Sequence, residues 1–174
     1  MSRFSTQRGV MLIELVVYIA LFTLIIGGAV VAAYQVFESS GRSQTHAMLQ
    51  EEGDFLLAKI NWTLSGVETI TAPVLPSAGQ ACRTSNTLSV TKWNAAIGTI
   101  VIDQMGSDMR LARGGNLANI LNNSNVTITN LIFKYCYLGG NNPASVATNF
   151  TLQSRSTNGL PIRQDFFITN YLRK

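Results

Sequence analysis

Charge is scarce in this sequence. Asp, Glu, Lys and Arg make up 13% of its 174 residues, against 47% hydrophobic residues. Histidine occurs once and cysteine twice. Proline is missing from the first 72 residues, and all four copies (Pro73, Pro76, Pro143, Pro161) come later. Each scarcity excludes something. No GxSxG, P-loop or HExxH is present, and the pairs Gly114-Gly115 and Gly139-Gly140 do not make a GxGxxG. His46 has no Cys, Asp or Ser at a useful spacing, so it reads as an exposed helix residue and not a catalyst. Cys82 and Cys136 have no CxxC spacing and no companion histidine, which argues against a metal site. The net charge is +4, and Arg3 and Arg8 supply two of those charges. The remainder is too small and scattered for nucleic-acid binding. No enzyme activity, cofactor or metal is expected.

What the proline-free region contains is one organising stretch, Arg8-Gly9-Val10-Met11-Leu12-Ile13-Glu14. A basic leader, Met1 to Gly9, carries Arg3 and Arg8 and no acid. After Glu14, Leu15 to Phe37 carries no charge at all and is long enough to cross a bilayer as a helix. The positive-inside rule then keeps the N-terminus cytoplasmic and puts the rest of the chain outside. The expected location is the cytoplasmic (inner) membrane, single-pass. The length suits one further domain beyond that anchor.

Glu14 is out of place in such a helix. A carboxylate at a helix centre costs roughly 2.5–3.5 kcal/mol, and less near an interface. Glu14 either sits at headgroup level or has a partner charge. Cutting after Gly9 would create one, because the new α-amine of Val10 lies about one helical turn before Glu14. Between neighbouring chains shifted along the axis, the amine of one could neutralise the acid of the next. An ordinary signal anchor, or a secretory signal cut near Val31-Ala32-Ala33, has no use for that acid.

Gly9, four apolar residues and Glu14 resemble the class III signal of type IV pilins and pseudopilins. That resemblance implies cleavage after Gly9 by a prepilin peptidase, N-methylation of Val10 and a role for Glu14 in assembly. Val10 departs from the usual Phe or Met. The implied partners are other pilin or pseudopilin subunits, the prepilin peptidase, the inner-membrane assembly platform and the lipid bilayer. The later strands, through MRLARGG, NVTITNLIFKY and FITNYLRK, look more like the larger minor subunits of the J or W type. Retention of Glu14 disfavours the K type.

The expected organisation is a leader (1–9), a transmembrane and filament-core helix (10–37), an amphipathic continuation (38–67) and an extracytoplasmic β domain (68–174). Gly27-Gly28 either permits close helix packing in lipid or loosens the helix when it moves into a filament. Ser39-Ser40-Gly41 is a weak interruption. Met48, Phe55, Leu56, Ile60, Leu64 and Val67 recur near helical spacing and predict a stripe packed on a sheet, with Trp62 in the stripe or core. Strands are expected over 68–72, 87–93, 98–104, 109–113, 126–138, 145–155 and 162–172, with a loop over 73–86, a short helical turn within 117–125 and turns at 139–143 and 156–159. The fold class is thus α+β: a long N-terminal helix packed on an antiparallel sheet of about six strands, which is also pilin-like.

Cys82 and Cys136 lie beyond the anchor, where a disulfide is permitted. They could equally be buried thiols. Asp103 and Asp108 lack EF-hand spacing and read as turn acids. The triplets at Asn61, Asn122, Asn125 and Asn149 arise easily in a chain rich in Asn, Ser and Thr. Two functions fit the whole: a minor pilin or pseudopilin acting in filament assembly, or a membrane-anchored binding domain or enzyme unrelated to filaments. The mature N-terminus separates them, since N-methyl-Val10 belongs only to the first.

Overall fold

The structure is a computed structural model that describes residues 8–74, 81–94, 96–137, 143–155 and 161–172, with side chains from Leu12 onward. Most of the leader and the expected turns at 139–142 and 156–159 lie outside the described residues. The fold is α+β. Among the described residues one helix, α1 (Arg8–Leu64), precedes nine strands, and the chain divides into two units after Gln44.

In the first unit α1 carries no charge on any side from Leu15 to Phe37, and every side chain from Leu12 to Gln44 is exposed. It is the one helix among the described residues long and apolar enough to cross a membrane, by length and composition. The expected interruption at Ser39-Ser40-Gly41 does not occur. With no proline nearby, nothing removes a backbone donor there. A Glu38–Arg42 ion pair at 3.1 Å, with the i,i+4 spacing that supports helix, spans the three residues.

In the second unit α1 buries one stripe: Leu49, Gly53, Leu56, Ile60, Thr63 and Leu64. The 3–4 residue spacing is that of one helix face. Phe55 and Trp62, expected in the stripe, are instead 46% and 40% exposed. Their positions fall about a quarter-turn off it. The helix ends at Leu64, before the expected boundary. Gly66 takes φ +61° as a left-handed cap, and Val67 opens a strand.

Two antiparallel sheets follow. The first has the order β1 (Val67–Ala72), β3 (Leu88–Lys92), β4 (Thr99–Met105), β5 (Asp108–Arg113), β6 (Asn119–Ile120). The second has the order β2 (Cys82–Ser85), β7 (Val126–Cys136), β8 (Ser145–Ser154), β9 (Arg163–Tyr171). Among the described residues nine strands in two sheets stand where about six in one sheet were expected. The extra ones are short. β2 sits in the segment read as a loop, and β6 replaces the expected helical turn. β2 takes its form from pairing with the distant β7, and β6 from pairing with the preceding β5.

The core is a single cluster contributed by the α1 stripe and the inner faces of both sheets. Alternation places Leu88 and Val90 of β3 opposite Ile102 and Ile100 of β4. In β7 the buried set changes parity, from Val126 and Ile128 to Leu131, Phe133 and Tyr135. A β-bulge between Thr129 and Ile132 makes the change. Asn130 supplies it with φ 55°, a left-handed conformation that Asn tolerates. Without the extra residue, Phe133 would face outward. Gln104 of the other sheet holds the bulge. Its amide nitrogen donates to Ile128 O at 3.0 Å, and its oxygen accepts from Leu131 N at 3.2 Å.

Candidate functional site

The expected assembly residues all fall on the first turns of α1. The backbone is helical from Arg8, so Gly9 and Val10 precede Glu14 on one continuous helix. Glu14 is exposed, and among the described residues Tyr18 alone donates to it, Oη to Oε1 at 3.4 Å. That is a long, weak bond one turn along the helix. Tyr18 was not singled out from the sequence, although the i,i+4 spacing to Glu14 was visible there. Around Glu14 lie only apolar, exposed neighbours: Leu12 and Ile13 before it, Leu15, Val16 and Val17 after it. The arrangement is one acid on an apolar cylinder. Such a surface associates with lipid or with other apolar helices, and an acid there gains from a cation in the same environment.

The β region carries the other expected residues. Cys82 and Cys136 are direct register partners in the β2–β7 pair and are joined by a disulfide. The two acids expected in turns lie on strands instead, Asp103 within β4 and Asp108 at the start of β5, and both are engaged by arginines. Asp103 accepts two bonds from Arg110, Nε to Oδ1 at 3.0 Å and Nη2 to Oδ2 at 2.7 Å, and this raises the Arg110 pKa. Asp108 lies 3.9 Å from Arg155 and accepts from Asn122. Both acids therefore have protein partners where a cation would need free oxygens. Asn122 is buried. Its oxygen accepts from Met109 N and its nitrogen donates to Val126 O, so this side chain is a structural bridge. His46 is exposed on α1.

Sequence reasoning missed what surrounds Trp62. Lys92 ends β3 and is buried, and its ammonium donates to Trp62 O (2.7 Å) and Ser65 O. It adds a charged donor to the Trp62 carbonyl, which also accepts from Ser65 N and Oγ, and to the Ser65 carbonyl, at a helix end where a cation suits the dipole. Burial, and then the charge of Arg113, push the Lys92 pKa below its ordinary value. The only hint in the sequence was a lysine at an inward-facing position of a strand.

No protein-family model matches this chain, and no curated protein and no solved structure matches it.

Proposed function

We propose that this chain is a minor pilin or pseudopilin subunit of a type IV pilus or type II secretion filament, acting in filament assembly or initiation. One observation carries the proposal. The Gly9/Glu14 motif opens a helix whose side chains from Leu12 to Gln44 are all exposed, while the same helix beyond Thr45 has its apolar stripe covered by the sheets. The uncovered part suits a bilayer before assembly and a bundle of like helices afterwards. The subunit would wait in the inner membrane, N-terminus cytoplasmic, with its β domain outside. Cleavage after Gly9 by the prepilin peptidase frees the Val10 amine, which is then methylated. Apolar packing supplies the contact area between subunits. The pairing of Glu14 with a neighbour's amine sets axial register, because an unpaired charge among apolar helices is strongly disfavoured. Cleavage thereby switches assembly on.

The test is Glu14→Ala in cells that build the filament, with filaments imaged and membrane insertion measured separately. The expected result is normal insertion with few or no filaments containing the subunit. Normal incorporation of the variant would refute the assembly role of Glu14. Mass spectrometry of the mature chain is expected to find N-methyl-Val10 as its first residue.

A further inference from the structure

Three cations meet at one indole where α1 ends. Lys92 Nζ lies 5.1 Å from the Trp62 ring centroid, the Arg113 guanidinium 5.5 Å and Lys59 Nζ 5.7 Å. They come from three elements: Lys59 from α1, Lys92 from β3 and Arg113 from the end of β5. A ring has two faces, so at least two of the three share one. Cation–π attraction at partly exposed sites is weak, and like charges gathered at one ring oppose it.

Among the described residues, none of the three is ion-paired with a carboxylate. Elsewhere in the domain Arg110 and Arg155 each lie beside an acid, and Arg163 donates to Gln153. Lys92 is committed to the helix-end carbonyls. Lys59 and Arg113 are not, and Arg113 and Trp62 are open to solvent. Arg113 lies close enough to Lys92 for the two charges to repel, and an oxyanion seated beside the indole on Arg113 would relieve that repulsion, with Lys59 over the same ring as a further cation. Guanidinium and ammonium donors suit phosphate and sulfate oxygens.

We propose that Lys59, Trp62 and Arg113 form a binding site for a tetrahedral oxyanion, a phosphate or sulfate group, with Lys92 as its fixed positive wall. The site does not depend on the filament assignment. It is tested on the full chain in nonionic detergent micelles. Trp93→Phe removes the other indole, so fluorescence reports Trp62. Inorganic phosphate is titrated against chloride at matched ionic strength, and a parallel sample carries phosphatidylglycerol in the micelle. A saturable response to inorganic phosphate identifies a site for the free anion. A response only with the anionic lipid identifies the headgroup as its source. Either supports the site. Lys59→Gln/Arg113→Gln weakens half-saturation about tenfold or more, as loss of two charge-assisted bonds requires, whereas Arg113→Lys retains binding. Circular dichroism confirms that the variants keep their fold. No response beyond chloride from either source, or an unchanged response in the folded double variant, overturns the proposal.

Discussion

Residues 12–44 and 45–64 share one helix and differ in what covers their side chains. The first stretch is exposed throughout and, from Leu15 to Phe37, carries no charge on any side; the second exposes polar residues and buries a single stripe against two sheets. A helix apolar on all sides needs an apolar surround, and the described residues provide none for 12–44. A one-striped helix needs only one partner face, and 45–64 has it. Identical backbone geometry therefore says little about what holds a helix in place. Substitutions in the second stretch report on folding, and those in the first report on whatever the chain associates with.

The largest expected effect comes from the disulfide. Cys82 and Cys136 are 54 residues apart, and opening a loop of that size costs about 4 kcal/mol in the chain-entropy account. In Cys82→Ser/Cys136→Ser, hydrogen exchange in micelles should show amides of 45–64 losing protection together with the sheets, while 12–44 keep theirs. Equal loss in both stretches would break the comparison. Next is a matched pair of truncations. Leu56 is fully buried and Leu24 is 74% exposed. Leu56→Ala should cost about 2–5 kcal/mol in chemical denaturation, and Leu24→Ala less than about 0.5 kcal/mol.

Glycine sharpens the same contrast. A Cβ on Gly53 would overlap the Phe166 ring, which is buried and stacked on Phe150 with centroids 5.3 Å apart. The ring cannot move without losing that stack. Overpacking costs about 1–3 kcal/mol and outweighs the ~1 kcal/mol of helix propensity gained. At Gly27 an added Cβ meets nothing within 4 Å. Gly53→Ala should lower the thermal midpoint of the β-bearing unit, and Gly27→Ala should leave it unmoved. A lowered midpoint in both would show that the two stretches unfold together.

Much of this was legible in the residues. The absence of proline before Pro73 and the uncharged run to Phe37 mark the helix, and alternation marks β3, β4 and β8. The division into two sheets was not legible, because β1 passes over β2 to pair with β3, β2 pairs with β7 far along the chain, and no local pattern encodes that choice. β2 was hidden by neighbouring prolines and glycine, which read as loop. The parity change in β7 depends on one left-handed asparagine, and Gln104 supports it from another sheet. Glu14 was found because a lone acid in an apolar run violates its local pattern. Trp62 was misplaced because a stripe read at helical spacing leaves a quarter-turn undecided. Lys92 lay on an inward-facing strand position, where its partners come from the end of a different element.

The smallest expected effect lies where the covered stretch ends. Burial and Arg113 hold the Lys92 pKa below its ordinary 10.5. Below the folded-state value both folded and unfolded chains are protonated, and the cost of charge in this cluster is fully present. Between that value and 10.5 the unfolded chain binds more protons, so stability rises with pH across the window. Tyr135 acts in the opposite sense. Burial raises its pKa above 10.0, the folded chain keeps the phenol proton longer, and stability falls as pH climbs past 10.0. A raw profile mixes the two, so the informative quantity is a difference. Lys92→Met loses the bonds to Trp62 O and Ser65 O at every pH, a constant offset, and keeps the Tyr135 contribution. The wild type should therefore gain stability relative to Lys92→Met as pH rises through the window below 10.5, measured by denaturation at a series of pH values. Parallel profiles would mean that the helix-end carbonyls compensate the burial of the ammonium, and that the covered end of α1 carries no titrating strain.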